Sequence, residues 1–328
     1  MKAVYISEFG KLDKLEVREV DGPPPPRAGN VLVHVRVAGV NRADLLQVRG
    51  AYPPPAGYSP NIPGLEFAGE IAGVGDEVTS WNIGDRVFGI TAGEAQAEYL
   101  TIDQRLLASI PDNLSFAEAA AVPEAFITAH DAVFTQGELS AGETLLLHAV
   151  GSGVGLAALQ LAKAHGATVI GTSRTPDKLE RCREFGLDIA ITTGEAVNFS
   201  EIVTEKTGGR GADVILDLVG AVYFQENLAS LAIKGRFLIV GLTSGAVTEF
   251  DMRIPLQKRA TLIGTMLRGR TTEEKAEATA RFTREVVPLL ASGKVRPNLD
   301  RVFAVTDVVA AYEYLASNKS FGKVVLEI

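Results

Sequence analysis

The sequence predicts an α/β chain of two parts: a doubly wound domain on a parallel sheet and a second domain that is mainly β. Three observations carry this. The 328 residues exceed what one hydrophobic core holds comfortably. From Thr144 onward, apolar strand runs alternate with amphipathic helices, the spacing of right-handed βαβ units. Residues 1–110 instead read as short strands punctuated by Gly, Pro and Asp.

The strand runs of the first part are AVYI, LEVREV, NVLVHVRVAGV, FAGEIAGVG, DRVFGI and AEYLTI. The prolines of residues 23–26 read as an extended surface connector rather than a ligand for a proline-binding domain. Near residue 115 the texture changes: SFAEAAAVPEAFITAHDAVFTQ is helix-forming, with Ser115 and Glu118 spaced as a capping box. The alternating block then runs TLLLHAV, VGLAALQLAKAHG, TVIGTS, PDKLERCREFG, DIAI, VNFSEIVTEKTGG, ADVILDLVG, a helical stretch ending at Gly235, and RFLIVGL. The tail holds a long helix, TEEKAEATARFTREVVPLLASG, then the strand RVFAV, the helix VVAAYEYLAS and the strand KVVLEI. If this tail closes the first domain, residues 1–120 and 266–328 form one domain and residues 121–265 an inserted second one. The ligand cleft is then expected between them.

Composition narrows the function. The 46% hydrophobic and 22% charged residues are ordinary for a globular protein. A net charge of −8 argues against a nucleic-acid surface or an anionic membrane as partner. The single cysteine, Cys182, leaves no disulfide framework or cysteine-based zinc cluster, and reads as an incidental thiol of a reducing compartment. With no apolar core in MKAVYISEFG and no apolar run near ~18 residues, a cytoplasmic protein is expected.

The most informative stretch is LLLHAVGSGVGLAALQLAKAHGATVIGTSR. A buried strand, a Gly-rich turn and a helix opening at Val154 turn backbone N–H groups toward a pyrophosphate, with Gly151, Ser152, Gly153 and Val154 as the cradle and Gly155 behind them. The strict GxGxxG spacing is broken, and a plain tight turn is the alternative. At the end of the next strand, NAD enzymes usually place an acid for the ribose 2′-hydroxyl. Here stand Gly171, Thr172, Ser173 and Arg174, with Lys178 a turn further. Hydroxyl, guanidinium and ammonium groups attract a 2′-phosphate, so NADPH is favoured over NADH. The alternative for Arg174 and Lys178 is ordinary surface charge.

These motifs, with GVNRADLLQVRGAYP, IPGLEFAGEIAGVG, GDRVFG, GADVILDLVG, KGRFLIVG and FGKVVLEI, resemble the medium-chain dehydrogenases/reductases over essentially the full length. Within them the chain is similar to the zinc-independent quinone oxidoreductases. AAAVPEAFITAHDAVF resembles the branch holding the tumour-suppressor-inducible quinone oxidoreductase. The resemblance implies a GroES-like substrate domain split around a Rossmann domain, in a homodimer or homotetramer. Zinc-dependent relatives carry Cys where Asn41 stands and His where Leu65 stands, and a four-cysteine lobe is missing around ITAGEAQAEYL. A catalytic zinc needs about three protein ligands, and the four histidines are scattered, so no metal is expected. His34 and His148 read as structural.

Without zinc, hydrogen-bond donors must stabilise charge on the acceptor oxygen. Asn41 offers an amide and Tyr52 a phenol with an ordinary pKa of about 10. The resemblance places both at the nicotinamide end of the cleft, with Tyr52 held by Pro53, Pro54 and Pro55. Loop capping by Asn41 and packing of Tyr52 on the proline loop are the alternatives. Asp44 would orient Asn41 or Arg42, and Glu66 is a structural anchor or a vestige of the metal site. The resemblance also implies Thr128 as a lining of the nicotinamide pocket. It puts backbone of Val240, Gly241 and Leu242 at the ribose and carboxamide, Met266, Leu267 and Arg268 over the ring, and Lys323 near the adenosine phosphate. Relatives often carry a Tyr near Thr193. The expected function is zinc-free hydride transfer from NADPH to quinones or other conjugated carbonyls. An enal, enone or enoyl-thioester double-bond reductase and an NADPH-binding protein of low turnover are the alternatives.

Overall fold

The computed structural model describes residues 1–194 and 198–328. The expected helix VNFSEIVTEKTGG begins at Val197, outside the described residues; its body is seen from Ser200. In chain order the elements are β1 (Lys2–Ile6), β2 (Leu15–Glu19), β3 (Asn30–Val40), α1 (Arg42–Val48), β4 (Glu66–Val74), β5 (Arg86–Ile90), β6 (Tyr99–Asp103), β7 (Leu107–Ser109), α2 (Phe116–Ala120) and α3 (Pro123–His130). There follow β8 (Thr144–Leu147), α4 (Gly153–Ala164), β9 (Thr168–Ser173), α5 (Pro176–Cys182), β10 (Ile189–Thr192), α6 (Ser200–Lys206), β11 (Ala212–Asp217), α7 (Phe224–Ser230), β12 (Leu231–Ile239), α8 (Arg253–Lys258) and β13 (Thr261–Gly264). The chain ends with α9 (Thr272–Glu285), α10 (Val287–Ala291), β14 (Leu299–Ala304), α11 (Val308–Ala316) and β15 (Lys323–Glu327). It divides into two compact units, Met1–Ile127 with Leu267–Ile328, and Thr128–Met266. Among the described residues no helix is long and apolar enough to cross a membrane.

The first unit is built on a sheet ordered β14-β15-β3-β4-β5-β7, with β6 also on β3. Its strands are antiparallel except for the β14–β15 pair. Val31, Val33 and Val35 alternate inward along β3 against Phe67, Ile71 and Val87, the period of a half-buried strand. A second cluster joins Leu45 and Val48 of α1 to Ala311, Tyr312 and Leu315 of α11 and to Val324 and Leu326 of β15. Each fully buried Leu or Val contributes about 1.5–3 kcal/mol, which ties the last strand and helix firmly to the N-terminal segment.

The second unit carries a parallel sheet of six strands, β10-β9-β8-β11-β12-β13. The order reverses between β8 and β11, the switch point beyond whose strand ends α/β folds bind ligands. The fold class is therefore α/β: one doubly wound unit and one mainly-β unit.

Three elements differ from expectation. The segment after Ser115 is two helices, because Pro123 has no N–H to continue α2 and starts α3 instead; a π-helical turn over Asp131–Gln136 follows. The capping box itself forms, with Glu118 N donating to Ser115 Oγ at 3.3 Å and Ser115 N to Glu118 Oε2 at 2.9 Å. The long tail helix breaks at Val286, ahead of Pro288. Strand β12 starts at Leu231, inside the stretch expected to be helical: tertiary pairing with β11 overrides the propensity of LAIKG.

Candidate functional site

In the first unit, Asn41 follows β3 and caps α1. Its backbone N–H donates to Asp44 Oδ2 at 2.7 Å, the reciprocal half of a capping box. Its side chain is held from two sides. Lys323 Nζ donates to Asn41 Oδ1 at 2.5 Å, while Asn41 Nδ2 donates to Glu66 Oε1 at 2.8 Å. Lys323 Nζ also reaches Glu66 Oε1 at 2.5 Å, and Glu124 N donates to Glu66 Oε2 at 2.8 Å. Glu66 is fully buried and Lys323 is 5% exposed. This ammonium–amide–carboxylate triangle fixes which face of the amide carries oxygen and which nitrogen. Gly39 makes room for it: an added Cβ there would lie 2.5 Å from Glu66 Cγ.

Beside the triangle, Asp44 is fully buried and its Oδ1 accepts from Gly64 N at 3.1 Å. Burial pushes its carboxyl up to about 6, against the pull of the Asn41 and Gly64 amides and the Arg268 and Lys323 charges. Arg268 donates to Ala92 O at 2.8 Å, to Tyr52 O at 2.8 Å and to Gln47 Oε1 at 2.5 Å. Its guanidinium also lies 4.9 Å from the Tyr52 ring centroid, a cation–π distance. Burial pushes the Tyr52 phenol above its ordinary value, against the pull of Arg268, so it is a neutral donor at pH 7.

Two residues expected at the cofactor have partners within their own unit. The ammonium of Lys323, expected near the adenosine phosphate, is buried and bonded to Asn41 and Glu66. The guanidinium of Arg268, expected over the nicotinamide ring, bonds Gln47, Tyr52 and Ala92. Sequence reading had no signal for either partnership, since 176 to 282 residues separate the partners. Leu267 is buried too, whereas Met266 is exposed.

In the second unit, α4 opens at Gly153 with Ser152 as N-cap, whose Oγ accepts from Gly155 N at 3.1 Å. The Val154 amide has no acceptor among the described residues. First-turn amides left this way make an anion site together with the helix dipole. Gly155 admits no side chain, since a Cβ would stand 2.5 Å from Ala149 O. At the end of β9, Ser173 Oγ accepts from Thr175 N at 3.1 Å. Arg174 is exposed, with no hydrogen bond or ion pair among the described residues, and Lys178 lies on α5. The donor set fits the phosphates of a dinucleotide. Thr128 is half-buried on α3 and Leu242 is exposed. The amides of Val240 and Gly241 already donate to Asp217 O at 2.9 and 3.1 Å, which leaves their carbonyls to meet a ligand.

A buried polar chain runs under this loop. Thr172 Oγ1 and Asn227 Oδ1 lie 2.8 and 2.5 Å from the two ring nitrogens of His148, and Asn227 Nδ2 donates to Asp217 Oδ2 at 3.1 Å. Burial pushes the His148 ring down to about 4 and the Asp217 carboxyl up to about 6. Both nitrogens are used, so His148 is structural, as expected. Thr193 is buried and accepts from Tyr223 Oη at 2.6 Å, so another element brings a tyrosine to that position. His34 stacks on Tyr99 at 4.8 Å.

Zinc does not fit. The two positions that hold Cys and His in zinc relatives carry Asn41 and Leu65, and the remaining carboxylate, Glu66, is paired with a lysine. Among the described residues no group of three or more His, Cys, Asp or Glu side chains forms a metal site.

Residues 27–131 match the alcohol dehydrogenase GroES-like domain, and residues 153–284 the family described as zinc-binding dehydrogenase. The protein is thus a medium-chain dehydrogenase/reductase, an oxidoreductase by class. Within that class it belongs to the zinc-independent quinone oxidoreductase family. It is 33% identical over 328 residues to a quinone oxidoreductase of Pseudomonas aeruginosa, covering 99% of each. It is 36% identical over 315 residues to erythronolide synthase EryA2 of Saccharopolyspora erythraea, covering 93% of this chain but 8% of that protein's length. A mycobacterial protein solved with NADPH superposes with a TM-score of 0.90 at 29% identity over all of both chains. The JamJ enoyl reductase does so with 0.87 at 26% identity, over 99% of this chain and 98% of that one.

Proposed function

We propose that the protein reduces quinones or other conjugated carbonyls with NADPH and without a metal. The observation that carries this reading is the oriented amide of Asn41. Its nitrogen has two hydrogens; Glu66 takes one, and the other has no acceptor among the described residues. Lys323 and Glu66 together prevent the amide from flipping, so a donor stands where zinc relatives hold the metal that polarises a carbonyl. Tyr52 is the second donor.

Gly151, Ser152, Gly153 and Val154 hold the pyrophosphate, and Ser173, Arg174 and Lys178 the 2′-phosphate. The cofactor supplies a hydride; the chain binds, orients and polarises the acceptor. The mycobacterial neighbour with NADPH supports the cofactor. The enoyl reductase neighbour favours a second reading, reduction of an enoyl thioester, on the same donors. Steady-state NADPH oxidation across quinones, enones and an enoyl thioester, with and without a chelator, tests the proposal. Oxidation lost in chelator, or cofactor binding without oxidation by any acceptor, overturns it.

The proposal extends to self-association through the second unit. Strand β13 is an outer strand with one partner among the described residues, and Leu262, Leu256, Met252 and Met266 are exposed nearby in sequence. An open edge beside apolar side chains suits a second copy of the chain.

A further inference from the structure

Reducing a conjugated carbonyl takes up one hydride and one proton, and the cluster of Asn41, Lys323, Glu66 and Asp44 supplies no proton. The Asn41 amide does not ionise, and the Lys323 ammonium is buried between two oxygens. Both oxygens of Asp44 accept backbone N–H groups, and Glu66 accepts from Asn41, Lys323 and the Glu124 amide.

One acid beside them is different. Glu124 stands in the first turn of α3, and its backbone N–H is bonded to Glu66, which itself bonds Asn41 and Lys323. Its carboxyl oxygens make no hydrogen bond among the described residues, although the residue is half-buried. The groups acting on it are Glu66 from β4, Asp44 from α1, Lys323 from β15 and Arg268; it in turn acts on Tyr52 and on the buried Lys275 of α9. Burial, with Glu66 and Asp44 adding repulsion against the two cations, pushes the carboxyl up to about 8. At neutral pH it therefore keeps its proton.

Resting on the reading above, we propose that Glu124 is the proton donor of the reaction. Hydride addition leaves an anion on the acceptor, on carbon for an enone or on oxygen for a quinone. The Glu124 O–H bond breaks as a C–H or O–H bond forms there. The acceptor is then reduced by two electrons, and the carboxylate left on Glu124 takes a proton back from water. An acid whose pKa lies near the working pH is the efficient one for this step.

The test uses the full chain and two readouts. In protein labelled with 13C at glutamate carboxyl carbons, one resonance should titrate near pH 8 and vanish in Glu124→Gln. In turnover, wild-type kcat should fall above pH 8. Glu124→Gln should lower kcat by about 10²-fold or more and lose that limb, with NADPH binding by fluorescence unchanged. A wild-type rate and limb in Glu124→Gln overturns the assignment, as does titration in the ordinary carboxyl range. A wild type that oxidises no NADPH with any acceptor overturns the functional reading, and the role with it. Should the glutamine variant fail to fold, Glu124→Asp retracts the acid by one methylene. A lower kcat with a shifted limb supports the role, and an unchanged rate and limb overturns it.

Discussion

Lys323, the first residue of the last strand, donates its ammonium to Glu66, the first residue of β4, across 257 residues of chain. Breaking a buried pair by removing one partner leaves an uncompensated charge, which costs about 3–5 kcal/mol. Lys323→Met should lose that much stability in urea unfolding, while the folded fraction still binds NADPH. A selective loss of NADPH affinity at unchanged stability would return Lys323 to the phosphate.

Asn41→Ala removes the oriented donor. Loss of one such donor costs about 10²–10³-fold in kcat, so turnover should fall at least a hundredfold with a smaller change in KM. Because Lys323 also loses an acceptor, stability should drop in parallel, and unfolding curves separate the two effects. Tyr52→Phe should lower kcat too while leaving Arg268 on the Tyr52 carbonyl. Unchanged turnover in both variants would mean that VNRADLLQVRGAYPPP only shapes the pocket.

The His148 ring gives a pH signature. Its pKa falls from 6.5 unfolded to about 4 folded, so between these values the unfolded chain binds more protons. Stability from a neutral buried His148 is present above pH 6.5 and lost as pH falls toward 4. Asp217, raised from 3.8 to about 6, contributes the opposite slope. The stability gap between wild type and His148→Gln should therefore widen as pH rises from 4 to 6.5. Urea melts at several pH values check this, and a constant gap would show that the imidazole is not buried neutral.

The parallel sheet was legible because β8, β9 and β11 read as continuous apolar runs with turn signals, and the Ser115–Glu118 box because its spacing is local. Asn41 was picked out through the resemblance, as the residue standing after β3 where zinc relatives carry Cys, and its role at the site is a proposal. The partners of Lys323 and Arg268 were not legible: a cation near a chain end looks like a phosphate ligand until the sheet brings a buried carboxylate to it. Glu124 carried no signal, since an acid in a first helical turn after proline looks like ordinary dipole compensation. The raised carboxyl proposed to give up a proton comes from burial and from Glu66, which only the fold brings to it.

If β13 mates with a second copy, charges placed on its exposed side chains should separate the protomers. Leu262→Lys with Leu256→Glu should shift sedimentation toward monomer at equal concentration, with the Tm of the monomer little changed. Wild-type protein sedimenting as a monomer would dismiss the association.

Cofactor choice rests on Arg174 and Lys178, because β9 ends on Thr172 and Ser173, followed by Arg174, where an NAD enzyme usually has a carboxylate for the ribose 2′-hydroxyl. Hydrogen bonds to charged groups contribute about 1.5–3 kcal/mol, and every 1.4 kcal/mol is about tenfold in Kd. Removing both cations in Arg174→Ala/Lys178→Ala should weaken NADPH by about 10²-fold or more and leave NADH nearly unchanged, since NADH has no 2′-phosphate. The loss should shrink as salt rises, because both partners are solvent-accessible and screened. Titration of cofactor fluorescence at two ionic strengths measures all four affinities. Equal losses for the two cofactors would make Arg174 and Lys178 ordinary surface charge and remove the case for NADPH.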